Sequence, residues 1–410
     1  MRLPVEKYHR SPNYERVSYS TKTHCALCEI KLKPALISLL KLPLTEIYSS
    51  TKPRKLTGFV DQYFHLCTTC GHGQISRIVN PQILYGQAAY FFRTSHSASA
   101  IKANDVFYQF INKAAQKKEL KTIIEIGCSD LYLLLGLKSK AKKLIGIDPI
   151  LRGQTSPNSK IQIIPDFFEN SDLDPQVYAD SLVISSHTLE HVENPKKMLQ
   201  LLFAQAHSST LFIFQFPGFE GLVTDNRYDQ IFHQHLHYFS LDSFIYLLNI
   251  TGGELVDYAI NYKHWGSLMV VFRKKRTKQR HISLHQTDFI NTKHIKMGHA
   301  DFQERMKLTN KYLRSLRKEH LYGYGAALML PILGYHLNND FSQFQAILDD
   351  DSRKAGKYYI NLPVKISQPD YVSNFHNLSI VITALNTSRP FLNKVLSLEP
   401  KRIIFPLPYI

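Results

Sequence analysis

The segment "DQIFHQHLHYFS", residues 229–240, places histidines at alternate positions between aromatic side chains. If this segment were a flat strand, His233, His235 and His237 would share one face and would suit a metal ion. However, no neighbouring carboxylate or cysteine completes such a metal-binding set. Two other interpretations remain: a strand whose histidines are merely exposed, and a catalytic loop in which a histidine exchanges protons near neutral pH. We favour the catalytic loop, because of the motifs that precede it in the chain.

Four of the five cysteines form two C-x-x-C pairs, Cys25 with Cys28 and Cys67 with Cys70. Each pair suits a turn that presents two thiolates to one ion, and four thiolates close a tetrahedral structural zinc site. Two redox-active pairs are the alternative, but neither pair lies in the strand-to-helix context of a thioredoxin-like motif. The chain starts without the apolar segment of an export signal, which also favours metal over disulfides. We therefore predict a structural zinc ion and a cytoplasmic protein.

A cofactor pocket is indicated by "TIIEIGCSDLYLLLGL" at 122–137, followed by "KLIGIDP" at 143–149. The first segment predicts a strand, a turn at Gly127 and a helix, and the second places Asp148 at the end of the next strand. In open α/β sheets this arrangement binds a nucleoside, with the acid on the ribose hydroxyls. Because no G-x-G-x-x-G is present, a pyrophosphate is disfavoured and a cofactor with adenosine but no phosphates is favoured. The candidate cofactor-binding residues are Glu125, Gly127, Cys128, Asp148, Asp166 and His187.

Strand-like apolar runs alternate with helical stretches over residues 121–275, and the alternation begins again over 319–410. This pattern predicts a mixed α/β fold with a mostly parallel sheet and helices on both faces. A chain of 410 residues is too long for one ordinary core, so several domains are expected. We predict a zinc-binding domain at 1–84, a central α/β domain at 85–300 and a smaller Rossmann-like domain at 301–410.

The C-terminal region contains a second glycine turn, in "LYGYGAALMLPILGYHL" at 321–337. It predicts a strand and then a helix over 326–337 that includes Pro331. Gly323 and Gly325 at such a turn suit either an anion or close packing, and a lone G-x-G does not separate the two.

The formal net charge of +17 is compatible with nucleic acid, a membrane surface or a polyanionic small molecule as partner. Basic residues interleaved with aromatics do not cluster around the cysteine pairs, so nucleic acid is not expected. No apolar run approaches the length of a membrane span. We expect a small-molecule substrate and a monomer or dimer.

Together these motifs resemble the nucleotide-sugar C-methyltransferases, which depend on S-adenosylmethionine, and the resemblance covers nearly the whole chain. The four cysteines match the family's N-terminal set, and "LEHV" at 189–192 matches a helix start that is common in class I methyltransferases. "YFFRTSHS" at 90–97 is similar to the family's Tyr-x-Tyr-x-Ser-Ser-x-Ser. "IFHQHLHYFS" at 231–240 is similar to the family's Tyr-His-Glu-His-x-x-Tyr-Phe-Ser.

The resemblance implies a class I methyltransferase Rossmann-like sheet between a zinc-binding domain and a C-terminal Rossmann-like domain that helps to bind the substrate. It implies methylation of a carbon next to the keto group of a nucleoside-diphosphate-linked deoxysugar. His235 is then the general base and His191 a further donor in the site, with His233 and Tyr90 as the other candidate catalytic residues. The implied cofactors are S-adenosylmethionine and structural zinc.

This chain departs from the family pattern in the histidine segment and in the cofactor turn. Phe232 replaces a tyrosine and cannot donate to an oxygen. Gln234 replaces a glutamate and cannot orient or charge a histidine as a carboxylate would. Leu131 and Tyr132 stand where a further glycine is common in the cofactor turn. These changes leave open an O-methyltransferase on a related sugar or a site that has lost catalysis. A zinc-containing protein that binds or modifies nucleic acid is the alternative from another class.

Overall fold

We describe the protein from a computed structural model. The described residues are 14–85, 95, 98–115, 120–262, 264, 266–275, 290–385 and 388–407. Tyr90 and nearly all of the 90–97 motif lie outside the described residues, so that catalytic prediction has no structural counterpart here.

The N-terminal region is built from short antiparallel strands. Its elements are β1 (Tyr19–Thr21), β2 (Ile37–Pro43), β3 (Tyr48–Ser49), β4 (Phe59–Leu66), β5 (Gly73–Ile75), β6 (Arg77–Val79) and α1 (Pro81–Tyr85). In β4, every second side chain is buried, which is the alternation of a strand with one face against a core. The cysteine pairs lie outside these strands, in the turns that precede β2 and β5.

The central region is a seven-stranded sheet with helices. Its elements are α2 (Ala98–Ala115), β7 (Leu120–Ile126), α3 (Tyr132–Gly136), β8 (Ala141–Ile147), β9 (Ile161–Ile164), β10 (Ser181–Ser186), α4 (Pro195–Gln205), β11 (Leu211–Pro217), α5 (Phe219–Thr224), β12 (His237–Tyr238), α6 (Leu241–Thr251), β13 (Gly253–Asn261) and β14 (Ser267–Lys274). The strand order is β13-β14-β11-β10-β7-β8-β9. The five strands from β11 to β9 are parallel, and β14 runs antiparallel to both of its neighbours.

The inner strands of this sheet are buried almost throughout, because helices cover both faces. The chain reverses order at β7, where β8 continues on one side and β10 on the other. Ligands of open α/β sheets bind at the carboxyl ends of the strands at such a switch point. The predicted α/β fold with a Rossmann-like parallel sheet is confirmed.

The histidine segment 229–240 is not a flat strand. A 3₁₀ turn occupies Tyr228–Gln230, and only His237–Tyr238 forms strand β12. This strand pairs with β5, so His237 lies opposite Gln74 and Tyr238 opposite Gly73. A segment of the central region therefore completes the N-terminal sheet, which has the order β12-β5-β4-β2.

The C-terminal region contains a second parallel sheet. Its elements are α7 (Thr292–Ser315), β15 (Leu321–Tyr324), α8 (Leu330–Leu337), β16 (Ala346–Leu348), β17 (Tyr358–Tyr359), β18 (Ile366–Ser367), β19 (Ser379–Ile382), α9 (Ser388–Leu396) and β20 (Arg402–Ile404). The order β18-β16-β15-β19-β20 is Rossmann-like. Helix α8 begins at Leu330 and not at residue 326 as predicted, because proline is favoured in the first helical turn and not in the interior.

One apolar cluster extends across the predicted domain boundaries. It joins Leu39 of the N-terminal sheet, Phe232 and Leu236 of the histidine segment, Phe302 of α7 and Leu333 of α8. Helix α7 itself spans the predicted boundary between residues 300 and 301.

Candidate active site

The candidate cofactor-binding residues come together at one edge of the central sheet. Glu125 and Gly127 lie at the carboxyl end of β7, and Asp148 follows β8. Asp166 follows β9, and His187 follows β10. Because these four strands are parallel neighbours, residues far apart in sequence meet at this edge.

The turn after β7 has an unusual backbone. Gly127 has φ +74°, and a Cβ atom there would lie 2.0 Å from Oγ1 of Thr188, so no other residue fits. Ser129 and Leu131 also adopt left-handed conformations, with φ of 45° and 64°. Non-glycine residues pay about 1–2 kcal/mol for this conformation, and such residues concentrate at functional sites. Leu131 therefore adopts the backbone of a glycine although it is a leucine.

Asp148, which follows β8, is hydrogen-bonded to the turn after β7. One of its carboxylate oxygens accepts a hydrogen bond from the backbone N–H of Ser129 at 2.8 Å, and the other accepts from Ile150 at 2.9 Å. Carboxylate oxygens carry two lone pairs each, so both retain capacity for ribose hydroxyls. Cys128 contributes only its backbone here, because its side chain is buried in the core beside Gly146.

Glu125 is a buried carboxylate. Burial, reinforced by the charge of Asp148, raises its pKa well above the usual value. Glu125 Oε2, Ser129 Oγ and Asp130 Oδ1 are buried atoms for which the described residues provide no hydrogen-bond partner. Buried polar atoms normally have partners, so this edge of the sheet suits a polar ligand such as the amino acid and ribose groups of S-adenosylmethionine. Asp166, by contrast, uses one oxygen to bind its own turn, at Phe167 N and Asn170 Nδ2.

The three histidines of segment 229–240 have different partners. The ring of His233 is held between Gln62 Nε2, at 3.2 Å from Nδ1, and the carbonyl oxygen of Leu42, at 3.1 Å from Nε2. Nδ1 of His237 lies 3.0 Å from Nε2 of His72. Both side chains thus attach the segment to the N-terminal sheet. His235, which lies between them, makes neither of these contacts.

His235 is placed beside Glu190 and His191, which form a 3₁₀ turn after β10. One ligand atom from each of these three residues lies within 4.8 Å of the others. The backbone N–H of Leu236 donates to the carbonyl oxygen of Glu190 at 2.8 Å. The backbones therefore hold the two segments in register.

Glu190 connects this group to the cofactor edge. Nδ1 of His187 donates to Glu190 Oε1 at 3.3 Å, and Nε2 of His191 lies 3.8 Å from the same oxygen. Burial opposes ionisation, but the hydrogen bond from His187 and the nearby imidazoles outweigh it and lower the pKa of Glu190 to about 2. The site therefore contains a buried, ionised carboxylate.

His235 is neutral at physiological pH. Burial, together with the nearby His191, lowers its pKa to about 3, although the charge of Glu190 acts in the opposite direction. A neutral imidazole is the form that accepts a proton. Two further side chains lie close to this group. The ring of His264 lies 5.1 Å from that of His187, and the hydroxyl of Tyr85 lies 3.4 Å from Nδ1 of His191.

The four predicted zinc ligands meet in one cluster. Their Sγ atoms all lie within 4.8 Å of one another, with Cys25 and Cys70 at 3.5 Å and Cys28 and Cys67 at 3.4 Å. Tetrahedral zinc–thiolate bonds of about 2.3 Å place sulfur atoms about 3.8 Å apart, so this set fits zinc. Contacts with Cys25 and Cys67 raise the pKa of the Cys70 thiol, so four thiolates need a cation for charge compensation.

Side chains of the C-terminal region pack against the glycine turn of its sheet. Gly325 has φ +102°, and a Cβ atom there would lie 2.4 Å from Cβ of Ala384. Asp349 Oδ2 accepts a hydrogen bond from the N–H of Ala326 at 2.7 Å, and Lys354 Nζ lies 3.4 Å from that oxygen. These contacts favour the packing interpretation of the turn, because a carboxylate at this position repels a phosphate.

Sequence reasoning missed several residues of the site. Glu190 lies within the quoted "LEHV" motif, but its role depends on a contact with a segment more than 40 residues later. Gln62 and His72 were not identified, because their partners lie 171 and 165 residues away in the chain. No local pattern marks such pairs.

Comparison with known proteins identifies the central region. Residues 100–258 match the family model described as "Methyltransferase domain". The chain is 22% identical over 209 residues to the C-methyltransferase NovU of Streptomyces niveus. This alignment covers 50% of this chain and 49% of that protein. The chain thus aligns with about half the length of this relative. The prediction of a methyltransferase domain in the central region is confirmed for residues 100–258, and the match supports S-adenosylmethionine as cofactor.

Two solved structures illustrate the structural similarity. One is a putative S-adenosylmethionine-dependent methyltransferase from Listeria monocytogenes, with 16% identity, 42% of this chain and 100% of that chain covered, and a TM-score of 0.34. The other is the complex between the Haloferax volcanii Trm112 methyltransferase activator and the putative methyltransferase, with 13% identity, 44% and 94% covered, and a TM-score of 0.36.

Within the described parts of the chain, no helix combines the length and hydropathy that a bilayer crossing requires.

Proposed function

We propose that this protein methylates a carbon next to the keto group of a nucleoside-diphosphate-linked deoxysugar, with His235 as the general base. The observation that carries the proposal is the position of His235. It lies beside Glu190 and His191 at the end of β10, while His233 and His237 attach the same segment to the N-terminal sheet. The similarity to a C-methyltransferase supports the reaction type.

The chemistry follows from the acidity of a carbon next to a ketone. Such a carbon loses a proton only if a base accepts it and the resulting enolate oxygen is stabilised. His235 takes the proton in its neutral form. The proposed donor to the oxygen is Tyr85, whose hydroxyl lies 3.4 Å from Nδ1 of His191, because that Nδ1 already donates to the carbonyl oxygen of Gln234. The bound S-adenosylmethionine supplies an electrophilic methyl group. Glu125, Gly127 and Asp148 would hold this cofactor, and His187 joins the carboxyl edge of the sheet to Glu190.

We further propose that the cysteine cluster binds one structural zinc ion and that its role is to hold the N-terminal sheet on which the histidine segment is fixed. The proposed units remain a zinc-binding domain at 1–84, a methyltransferase core at 85–300 and a C-terminal domain at 301–410 that contacts the substrate. We expect a cytoplasmic monomer or dimer.

The test is mass spectrometry of a panel of nucleoside-diphosphate-linked 4-keto sugars incubated with S-adenosylmethionine. The wild type is expected to add one methyl group, and His235→Ala to lose about 10²- to 10⁴-fold in rate. His207→Ala, which changes an exposed histidine, serves as the control. Deuterium placed on the carbon next to the keto group is lost when that carbon is methylated and kept when a hydroxyl oxygen is methylated, which distinguishes the two reactions. Unchanged methylation by His235→Ala would refute His235 as the base.

A further inference from the structure

Glu190 is a buried carboxylate, with 1% of its surface exposed. Ionised carboxylates are rarely buried without a functional or structural reason, because burial removes their hydration. Its Oε1 contacts His187 and faces His191, and its buried Oε2 has no hydrogen-bond partner among the described residues. Imidazoles thus surround one carboxylate on the side that faces the histidine segment.

Position 234 does not supply this charge. Gln234 is neutral, its side-chain Nε2 is buried, and the described residues offer that atom no hydrogen-bond partner. Only its backbone takes part in the site, since its carbonyl oxygen accepts a hydrogen bond from Nδ1 of His191 at 2.6 Å. The carboxylate nearest to His235 therefore comes from the turn after β10 and not from the histidine segment.

We propose that Glu190 is the positioning residue of the proton transfer and provides, from a different element, the negative charge that the chain lacks at Gln234. The proposal rests on the proposed function, because it assigns Glu190 an action through His235.

The physical reason lies in the charge that His235 acquires. When a buried imidazole accepts a proton it becomes a cation, which is costly in a low-dielectric surrounding unless an anion lies nearby. A carboxylate that does not itself react stabilises such an imidazolium and fixes the orientation of the ring. The other titratable groups facing this region are His187, His191, His264 and Tyr85. None of these four carries a negative charge at neutral pH, so Glu190 is the anion available among the described residues.

The test compares Glu190→Gln with the double variant Glu190→Gln/Gln234→Glu, which moves the carboxylate to the histidine segment. Glu193→Gln is the matched control, because it makes the same chemical change on an exposed side chain close by. The readouts are kcat, KM and the pH profile of methyl transfer to the nucleoside-diphosphate-linked keto-sugar that the wild type accepts.

We expect Glu190→Gln to lower kcat at least about 10-fold with little change in KM. Its acid limb should shift to lower pH, because loss of a nearby negative charge lowers the pKa of the base. The double variant should recover a substantial part of kcat and return the acid limb toward the wild-type position. Glu193→Gln should match the wild type.

Three results would overturn the proposal. The first is a wild-type pH profile and kcat in Glu190→Gln, and the second is a folded double variant without recovery. The third is a second divalent ion, besides the zinc of the cysteine cluster, that the wild type binds and Glu190→Gln does not, because Glu190 would then be a metal ligand.

If Glu190→Gln does not fold, Glu190→Asp replaces it in the test. This variant keeps the charge, and inactivity of folded Glu190→Asp would count against the proposal. A wild type that methylates no keto-sugar refutes the proposed function instead.

Discussion

Leu131 adopts a left-handed backbone, with φ 64°, in the turn that follows β7. Two effects of opposite sign follow from this residue. A glycine would remove about 1 kcal/mol of backbone strain, but it would also remove a side chain that is only 5% exposed and packs against β8 at Gly146. Removal of a buried leucine side chain costs about 3 kcal/mol or more. Packing therefore outweighs strain, which explains how a leucine persists at this position.

We accordingly predict that Leu131→Gly lowers the free energy of unfolding by about 2 kcal/mol. The matched variant is Glu399→Gly, because Glu399 has φ 50° but is exposed. There the strain is removed without loss of packing, and the free energy of unfolding should rise by up to about 1 kcal/mol. Urea unfolding curves measure both. A stabilising Leu131→Gly would mean that strain dominates.

Glu125 provides a second prediction at the residue scale. Its pKa is raised by burial, so its contribution to stability is present below its usual pKa and is lost as pH rises through the raised value. Glu125→Gln removes this loss, so without cofactor the variant should exceed the wild type in stability by roughly 1 kcal/mol or more at pH 9 and less at pH 5. The same variant should bind S-adenosylmethionine more weakly, measured by calorimetry.

Exposed Glu169→Gln is the control for both measurements. An identical pH dependence of stability in Glu125→Gln and the wild type would contradict the assigned effect of burial.

At the scale of elements, the sequence predicts turns and element boundaries that depend on neighbouring residues, but not the pairing of strands that are far apart in the chain. The C-x-x-C turns, the strand ending at Glu125 and the helix boundary near Pro331 depend on neighbouring residues, so spacing and composition suffice to place them within a few residues. The pairing of β12 with β5 depends on residues far apart in the chain. Neither strand has a pattern that identifies its partner. The flat strand considered for the histidines is absent because only His237–Tyr238 is a strand and residues 231–236 form turns and irregular chain.

The same pairing makes the histidine segment dependent on the cysteine cluster. The second pair, Cys67 and Cys70, immediately precedes β5, and Gln74 Oε1 of β5 accepts a hydrogen bond from Ala26 N between the first pair. We predict one zinc ion per chain, and its removal by a chelator or by Cys67→Ser should release residues 229–240. Structural zinc contributes about 10 kcal/mol or more to folding of small domains.

Metal analysis and limited proteolysis test this dependence, with cleavage expected near residues 229–240 and loss of methyl transfer after zinc removal. Thr68→Ser is the control, since Thr68 lies between the two cysteines of the second pair but is exposed and is not a predicted zinc ligand. Full zinc content in Cys67→Ser would show that this thiol is not a ligand.

At the scale of the whole molecule, the three predicted domains contact one another. Strand β17 pairs with β3, and the rings of Tyr48 and Tyr359 lie 4.7 Å apart. Asn361 Nδ2 donates to the carbonyl oxygen of Leu44 at 2.7 Å. With the apolar cluster that extends across all three regions, these contacts join the N-terminal, central and C-terminal regions.

The histidines add a pH dependence that belongs to the molecule as a whole. Burial is the main cause that lowers the pKa of eight of the described histidines: His65, His72, His233, His235, His237, His264, His299 and His336. These histidines lie in the N-terminal sheet, the active site and the contact between α7 and α8. A group with a lowered pKa stays neutral in the folded state while the unfolded chain takes up a proton, so stability is lost as pH falls below about 6.5.

We predict that the free energy of unfolding falls by several kcal/mol between pH 7 and pH 4.5, at up to about 1.4 kcal/mol per pH unit for each such histidine. His336 allows the cause to be isolated, because burial lowers its pKa to about 4 although Asp229 opposes the shift. Its Nε2 has no hydrogen-bond partner among the described residues, and its ring packs 4.8 Å from that of Phe302. His336→Phe keeps an aromatic ring but cannot bind a proton. The slope of the free energy of unfolding against pH should therefore decrease by the amount that corresponds to about one proton.

His376→Gln, at an exposed position, should leave the slope unchanged. Urea unfolding at pH 5, 6, 7 and 8 measures it, and equal slopes in His336→Phe and the wild type would exclude His336 from the acid response.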